Sequence, residues 1–389
     1  MPTRDLDIVL FGATGFTGAL TAEYLARHAP TGLRWALAGR NPDKLASVRD
    51  RLTEIDPGLT DLELLVADAA DQAALTAIAQ RTRVVATTVG PYLAYGEPLV
   101  AACAAAGTGY VDITGEAEFV DRMYVAHHET AVRSGARIVH ACGFDSIPHD
   151  LGAYFTVRHL PSDQPITLRG VVRAGGVLSG GTFHTAVTAA SRPRQLREAA
   201  AARRAAEPRP EGRSSRAVRG TPRRDPVLGY WLLPLPTVDA LIVARSGRAL
   251  PSYGPEFRYS AYAGMKTLPY AVGGAAVATG VALAAQVKPL RNLLLGRMQP
   301  GEGPDETRRE KSWFKVDFIG EAADTRIHTR VNGGDPGYGE TATMLGESAL
   351  CLALDDNPGS AGQLTTAQAM GDHLLDRLQK AGLGFEIVA

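Results

Sequence analysis

Cysteine is scarce in this sequence. There are three, Cys103, Cys142 and Cys351, and none forms a CxxC pair. That excludes a disulfide framework and a cysteine-rich zinc site. Each thiol is expected to be free and buried, and no metal-ligating cluster is expected. An excess of one charge is absent too. Lys plus Arg and Asp plus Glu both number 41, so the formal net charge is zero and no nucleic-acid partner is implied. Arg supplies 35 of the 41 basic residues, which reads as coding bias. No repeat is visible. The chain opens almost at once on a strand, which points to no signal peptide and a cytoplasmic location. What remains is ordinary for a globular protein, 45% hydrophobic and 21% charged, and 389 residues suffice for two domains.

The strongest positive signal is Asp7-Ile-Val-Leu-Phe-Gly-Ala-Thr-Gly-Phe-Thr-Gly18. An apolar strand, Ile8 to Phe11, runs into Gly12, Gly15 and Gly18, and an amphipathic helix follows. The free N–H groups and positive dipole end of such a helix attract a pyrophosphate. Gly12 permits the tight turn, Gly15 the approach of the phosphates, and Gly18 the packing of helix on strand. Thr14, Phe16 and Thr17 complete the expected cradle. The alternative is a plain glycine turn with no nucleotide.

A second absence refines the cofactor. The second strand, 34–39, ends without the Asp or Glu that would bond a ribose 2′-hydroxyl. Arg40 and Asn41 stand there instead, with Lys44 one turn on. Arg40 can grip a 2′-phosphate with a planar fork, and Lys44 adds a point charge. NADP is therefore expected over NAD, unless both cations are merely solvated. Further strands are expected at Leu62–Ala67, Val84–Val89, Tyr110–Ile113 and Arg137–Ala141. Asp68 is placed beside the adenine, and Gly90-Pro91-Tyr92 at the end of the fourth strand. Helical stretches separate the strands, so the expectation is α/β, a Rossmann-like doubly wound parallel sheet.

After residue 150 the pattern changes to an α+β second domain, expected over 151–337 for substrate binding and dimerisation. Strands are expected at Ile166–Arg173, Ala240–Ala244, Phe257–Tyr262, Trp313–Gly320 and Thr325–Val331. Helices are expected at Phe183–Ala190, capped by Ser179 or Thr182, and at Gln195–Ala206. Closing helices, Thr341–Leu354 and Thr365–Ala381, are expected to return to the first domain (1–150) within 338–389. Residues 192–224 hold eleven Arg against three Glu and read beyond Ala206 as a flexible loop. Leu268 to Val287 carries no charge over a span that could cross a bilayer. Its Ala and Gly content leaves three readings: a buried or dimer-interface helix, a membrane-surface or lipid-tunnel element, and a spanning helix. Lys288 to Arg297, apolar with three cations, reads as an interfacial amphipathic piece.

Five motifs in this order carry a resemblance. They are the glycine turn, Ala38-Gly-Arg-Asn41, Val89-Gly-Pro-Tyr92 with Gly96, Tyr110-Val-Asp-Ile-Thr-Gly-Glu116, and Cys142-Gly-Phe-Asp-Ser-Ile-Pro148. Together they resemble the saccharopine dehydrogenase-like oxidoreductases, and more narrowly the bacterial trans-acting enoyl reductases. The specific match covers about the first 155 residues and continues loosely beyond. The resemblance implies a nucleotide domain interrupted by a substrate domain, and animal relatives that are membrane- or lipid-associated. Its amino-acid-binding members hold a dicarboxylate with basic side chains. No such set maps here, so saccharopine is not the expected substrate.

The chemistry so implied is NADPH-dependent reduction of a C=C, C=N or C=O bond in a lipophilic or acyl-carrier-bound substrate. Enoyl reduction needs a proton donor beside the hydride. Tyr92 is the first choice of donor or carbonyl anchor, and Asp145 or Ser146 the second. Against this, Asp145-Ser146-x-Pro is also a helix cap. An anionic membrane and a second copy are further possible partners. The competing function is a non-catalytic lipid- or partner-binding protein on a Rossmann scaffold.

Overall fold

The computed structural model describes residues 4–176, 180–296 and 306–389, so Ser179 and Arg297 lie outside the described residues. The strands are β1 (Leu6–Phe11), β2 (Trp35–Gly39), β3 (Glu63–Val66), β4 (Thr82–Thr87), β5 (Gly109–Asp112), β6 (Arg137–Val139), β7 (Ile166–Gly175), β8 (Ser214–Ala217), β9 (Arg223–Arg224), β10 (Trp231–Pro234), β11 (Glu256–Met265), β12 (Trp313–Ala322), β13 (Thr325–Gly333), β14 (Gly362–Leu364) and β15 (Gly384–Ile387). They fall in two compact units. Residues 4–144 and 337–381 form the first, and the rest of the described chain forms the second.

The first unit holds a seven-stranded sheet in the order β14-β6-β5-β4-β1-β2-β3. Every pair is parallel. The apolar runs of β1 and β2 are buried along their whole length because helices cover both faces. From β1 the chain winds outward through β2 and β3, then returns to β4 on the other side. The carboxyl ends of β1 and β4 thus form the switch point where an open α/β sheet binds its ligand. Helix Gly339–Leu354 packs on helix Phe16–His28, with the Tyr24 hydroxyl donating to Glu347 at 2.6 Å. The expected closing helix 365–381 is broken in two, Thr366–Ala369 and Gly371–Lys380, where Gly371 turns to φ 45°.

The second unit is built on a mixed sheet, β15-β13-β12-β7-β11-β10-β9, with β8 paired to β11. Helices Ile147–Val157 and Val238–Ala249 pack against it. A Cβ on Gly152 would overlap the ring of Phe318, so the first helix lies directly on β12. The structure corrects the expected strand at Ala240–Ala244, which is the middle of helix Val238–Ala249. A run of five apolar residues has no period of its own, and the helix-entry signal lies just before it at Thr237 and Asp239. The Arg-rich stretch is corrected as well. Helix Pro193–Ala206 is present, but 207–224 contains β8 and β9. Arg213 donates to the carbonyls of Gly247, Leu250 and Gly254, and Glu207 binds Arg203, Arg245 and Arg248. Arg203 and Arg213 are thus tied into the structure, while Arg209, Arg216, Arg219, Arg223 and Arg224 remain exposed.

Helix Leu268–Gln286 is not buried in the chain: only 11% of its apolar window is covered. By length and composition it is long and apolar enough to cross a membrane. Tyr270, Val277 and Leu283 are 72%, 68% and 67% exposed, so the reading as a core helix is overturned. Cys103, Cys142 and Cys351 are free and buried, as their scarcity implied.

Candidate functional site

The glycine turn has the geometry that its residues require. Gly12 adopts φ 92°, a conformation other residues enter at a cost. The Thr88 hydroxyl, just past β4, donates to the Gly12 carbonyl at 3.1 Å and ties the turn to the switch point. A Cβ on Gly18 would fall on the Gly12 carbonyl oxygen, whereas one on Gly15 would meet only that oxygen, at 3.4 Å. Gly15 is the N-cap of helix Phe16–His28, no side chain caps that end, and its first turn holds no acid. Donors and dipole are thus presented bare, which fits a pyrophosphate. Thr14 and Thr17 keep part of their surface open. The Phe16 ring rests edge-on against Tyr338 at 4.8 Å.

At the end of β2, Arg40, Asn41 and Lys44 are all exposed. The Asn41 side chain accepts the Lys44 N–H at 2.9 Å and caps the next helix. No ion pair among the described residues engages Arg40 or Lys44, so both are available to an incoming phosphate. Asp68, past β3, is exposed and accepts the Ala70 N–H at 2.9 Å.

Gly90 and Pro91 are exposed on the loop after β4, but Tyr92 is only 6% exposed. Its hydroxyl donates to the Thr87 carbonyl at 3.0 Å and accepts the Ile113 N–H at 3.3 Å. Burial, reinforced by the Asp112 charge, holds the phenol well above its ordinary pKa. The Tyr92 hydroxyl is committed to main chain. Glu116 caps the short helix Tyr92–Tyr95, accepting the N–H groups of Tyr92 and Leu93 at 2.8 and 2.9 Å.

Asp145 and Ser146 lie in the second unit, and the structure brings them to residues the sequence did not flag. Ser146 is the N-cap of helix Ile147–Val157, yet its side chain caps nothing. Its Oγ is fully buried and has no partner. The expected capping role is therefore not what this serine does. Asp145 sits in the field of Asp239 and keeps part of its surface open. Asp239 is 5% exposed; Thr237 donates to one carboxylate oxygen, and the other, Oδ1, has no partner. Burial and then the Asp239 charge push Asp145 up to about 7. Burial pushes Asp239 up to about 7 as well. Around them, the Tyr259 hydroxyl lies 2.6 Å from His149 Nδ1, and Ser246 donates to Asp150 at 2.5 Å. Burial pulls His149 down to about 4, so this imidazole is neutral near pH 7. Asp239 was missed because only folding brings it to Asp145. Its one visible signal was an acid behind Thr237 at the head of an apolar run. Among the described residues no group of three His, Cys, Asp or Glu could hold a metal ion.

Comparisons with known proteins agree with this geometry. Residues 8–139 match the family described as the saccharopine dehydrogenase NADP binding domain. A Mycobacterium tuberculosis protein named as a trans-acting enoyl reductase is 40% identical over 413 residues, spanning 98% of this chain and 97% of the relative. The trans-acting enoyl reductase of Mycobacterium ulcerans is 38% identical over 411 residues, with the same shares covered. Among solved structures, the apo saccharopine dehydrogenase (L-Glu forming) of Saccharomyces cerevisiae matches with a TM-score of 0.56 at 13% identity. It covers 98% of this chain and 99% of that one, and shows the same fold.

Proposed function

Since the chain belongs to the saccharopine dehydrogenase-like oxidoreductases, in the branch of the trans-acting enoyl reductases, and carries their NADP-binding domain, we propose that this NADP-dependent oxidoreductase reduces the C=C bond of a carrier-bound enoyl thioester. The observation that carries the reading is the bare helix N-terminus at Gly15, with the unpaired Arg40 at the end of the neighbouring strand. An intact cofactor site argues against a protein that keeps the domain only as a scaffold.

In this reading Gly12, Thr14, Gly15, Phe16, Thr17 and Gly18 hold the pyrophosphate. Arg40, Asn41 and Lys44 take the 2′-phosphate, Asp68 borders the adenine, and Gly90 and Pro91 border the nicotinamide. Bound NADPH supplies the hydride. Tyr92 positions the loop after β4 through its two main-chain bonds. The chain must also supply a proton. The exposed helix Leu268–Gln286 is assigned to the lipophilic part of the substrate. The amphipathic helix Lys288–Gly296 follows it.

The cofactor preference is testable by titration. NADPH should bind more tightly than NADH, because a charge-assisted bond to phosphate contributes about 1.5–3 kcal/mol, or about ten- to a hundredfold. Arg40→Ala should remove most of that preference, and equal affinities in the unmodified protein would refute the assignment. The substrate class is tested by NADPH oxidation. A medium-chain 2-enoyl thioester should be turned over, and more efficiently on an acyl carrier than as the free thioester. Oxidation driven only by carbonyl or imine substrates would overturn the C=C reading.

A further inference from the structure

Helix Leu268–Gln286 breaks the ordinary rule of burial in the second unit. Its 19 residues include no charged side chain and form no polar face, yet most of the helix is open. A helix that is apolar all round normally sits in a core or in lipid. A contiguous apolar surface of this extent marks an interaction site. At 1.5 Å per residue the helix runs for about 28 Å.

The covered positions follow one side of it. Ala271 and Ala285 are buried, and Gly274 and Val281 partly so. A Cβ on Gly274 would meet Leu233 on β10 at 3.6 Å and Met265 on β11 at 3.7 Å. Near the other end, the Gln286 side-chain amide donates to the Ala190 carbonyl of helix Gly180–Ser191 at 3.2 Å. The helix is thus fastened at both ends and lies flat on the unit. Away from that side, Val272, Val277 and Leu283 are exposed. A span across a bilayer would draw β10 and β11 in with the helix, and open sheets do not enter hydrocarbon. The open side can rest in a membrane interface without that cost.

Charge decides what covers it. Between Glu256 and Glu302 the sequence has no acid. Lys266 stands just before the helix, and Lys288 and Arg291 stand just after it on helix Lys288–Gly296. Lys266 and Lys288 are exposed and Arg291 is half-buried, and no ion pair among the described residues engages any of the three. Leu290 and Leu293 beside them are exposed as well. Tyr270, at the head of the long helix, presents the kind of amphipathic ring that sits at bilayer headgroups. Cations at both ends of an apolar strip, continued by an amphipathic helix, complement an anionic bilayer. A second copy fits worse. A two-fold contact through this helix sets cation against cation, whether the paired helices run parallel or antiparallel, and the segment holds no acid to compensate.

We propose that this chain docks peripherally on an anionic lipid bilayer, through the open side of helix Leu268–Gln286 and the cations that flank it. Val272, Val277 and Leu283 enter the boundary between headgroups and acyl chains. Lys266, Lys288 and Arg291 meet the lipid phosphates. The two parts act together, because apolar burial and attraction to anionic lipid both add to interfacial binding. Docking stands whether or not the enoyl reading does. With that reading, it places the enzyme where lipophilic chains collect.

The experiment is flotation of the full chain with vesicles of phosphatidylcholine alone, and of phosphatidylcholine mixed equally with phosphatidylglycerol. The unmodified protein should bind the anionic vesicles at least about tenfold more tightly than the neutral ones, and high salt should close most of that gap. Val277→Glu with Leu283→Glu should lower affinity for the anionic vesicles about tenfold or more. Lys288→Gln with Arg291→Gln should lower it by a similar factor and flatten the salt dependence. Melting temperature and NADPH affinity should change little in either double variant, since the altered side chains are exposed or without an ionic partner. Should either variant fail to fold, Tyr270→Trp carries the test. Its emission should shift to the blue on anionic vesicles, beyond any shift of the unmodified protein, and no added shift overturns the contact.

Absence of binding to anionic vesicles by the unmodified protein overturns the proposal. So does binding that either folded double variant retains within threefold. A dimer, seen by light scattering, that Val277→Glu with Leu283→Glu splits while vesicles are ignored assigns the helix to a second copy and overturns it too.

Discussion

Gly18→Ala should abolish useful NADPH binding, weakening it by at least about a hundredfold, and should lower the melting temperature as well. The added methyl would sit on the Gly12 carbonyl oxygen, a main-chain atom that cannot rotate away. Helix Phe16–His28 must then move off β1, a form of overpacking that costs about 1–3 kcal/mol. The shift also withdraws the bare N–H groups from the phosphates. Each charge-assisted bond lost there removes about 1.5–3 kcal/mol of binding. Gly15→Ala separates the two effects. Its methyl meets the same oxygen at 3.4 Å, an ordinary contact, so the fold should hold. The methyl points into the space through which the phosphates approach, and affinity should still drop about tenfold. Calorimetric titration with NADPH, with melting measured alongside, checks both variants. Gly18→Ala binding within threefold of the unmodified protein would remove the turn from the cofactor site.

The nucleotide domain was legible because its signals are local. The run Ile8–Phe11 into Gly12, Gly15 and Gly18 encodes strand, turn and helix within a dozen residues, and the structure shows those three elements. The same holds for β2, β4, β5, β7, β11, β12 and β13, whose apolar or alternating patterns stand out within each segment. Legibility failed where a short segment depends on a distant partner. β14 is three residues long, and β6 far back in the chain fixes it. β15 is four residues paired to β13. Helix Val238–Ala249 was misread because Ala-Leu-Ile-Val-Ala suits a buried strand and a buried helix equally.

The candidate site shows the same division. Arg40 is informative in the sequence because an acid would ordinarily stand there, and a substitution of opposite charge can be read without a structure. Ser146 could be read only as a cap, since an N-cap serine before Pro148 is the commonplace outcome. The absence of that bond is a three-dimensional fact. Composition told only part of the Arg-rich stretch. Most of its eleven Arg are exposed, but Arg213 is spent on three carbonyls and Arg203 on Glu207, and two short strands replace the expected loop.

Asp112→Ala should be the most destabilising single change in the first unit outside the glycine turn. The Asp112 carboxylate is fully buried at the carboxyl end of β5. It accepts the Tyr110 hydroxyl at 2.9 Å and the N–H groups of Thr114 and Ala141 at 3.1 and 2.9 Å, with His140 Nδ1 2.7 Å away. Truncation would strand these donors without water to replace the carboxylate. Removing one member of such a buried network costs about 3–5 kcal/mol. For a unit of this size that is a fall in melting temperature on the order of 10 °C. Ala141 makes the loss sharper. Its φ of 61° is disfavoured for a residue with a Cβ, and the bond from its N–H to Asp112 helps hold it there. That strained residue leads directly into the buried Cys142. Asp112→Asn keeps the shape and one acceptor oxygen but turns an NH2 group towards other donors, so it should fall between. The cofactor turn is untouched by either change, and NADPH affinity below the transition should stay within a few fold. If Asp112→Ala melts within about 2 °C of the unmodified protein, this carboxylate is not what holds the carboxyl edge of the sheet together.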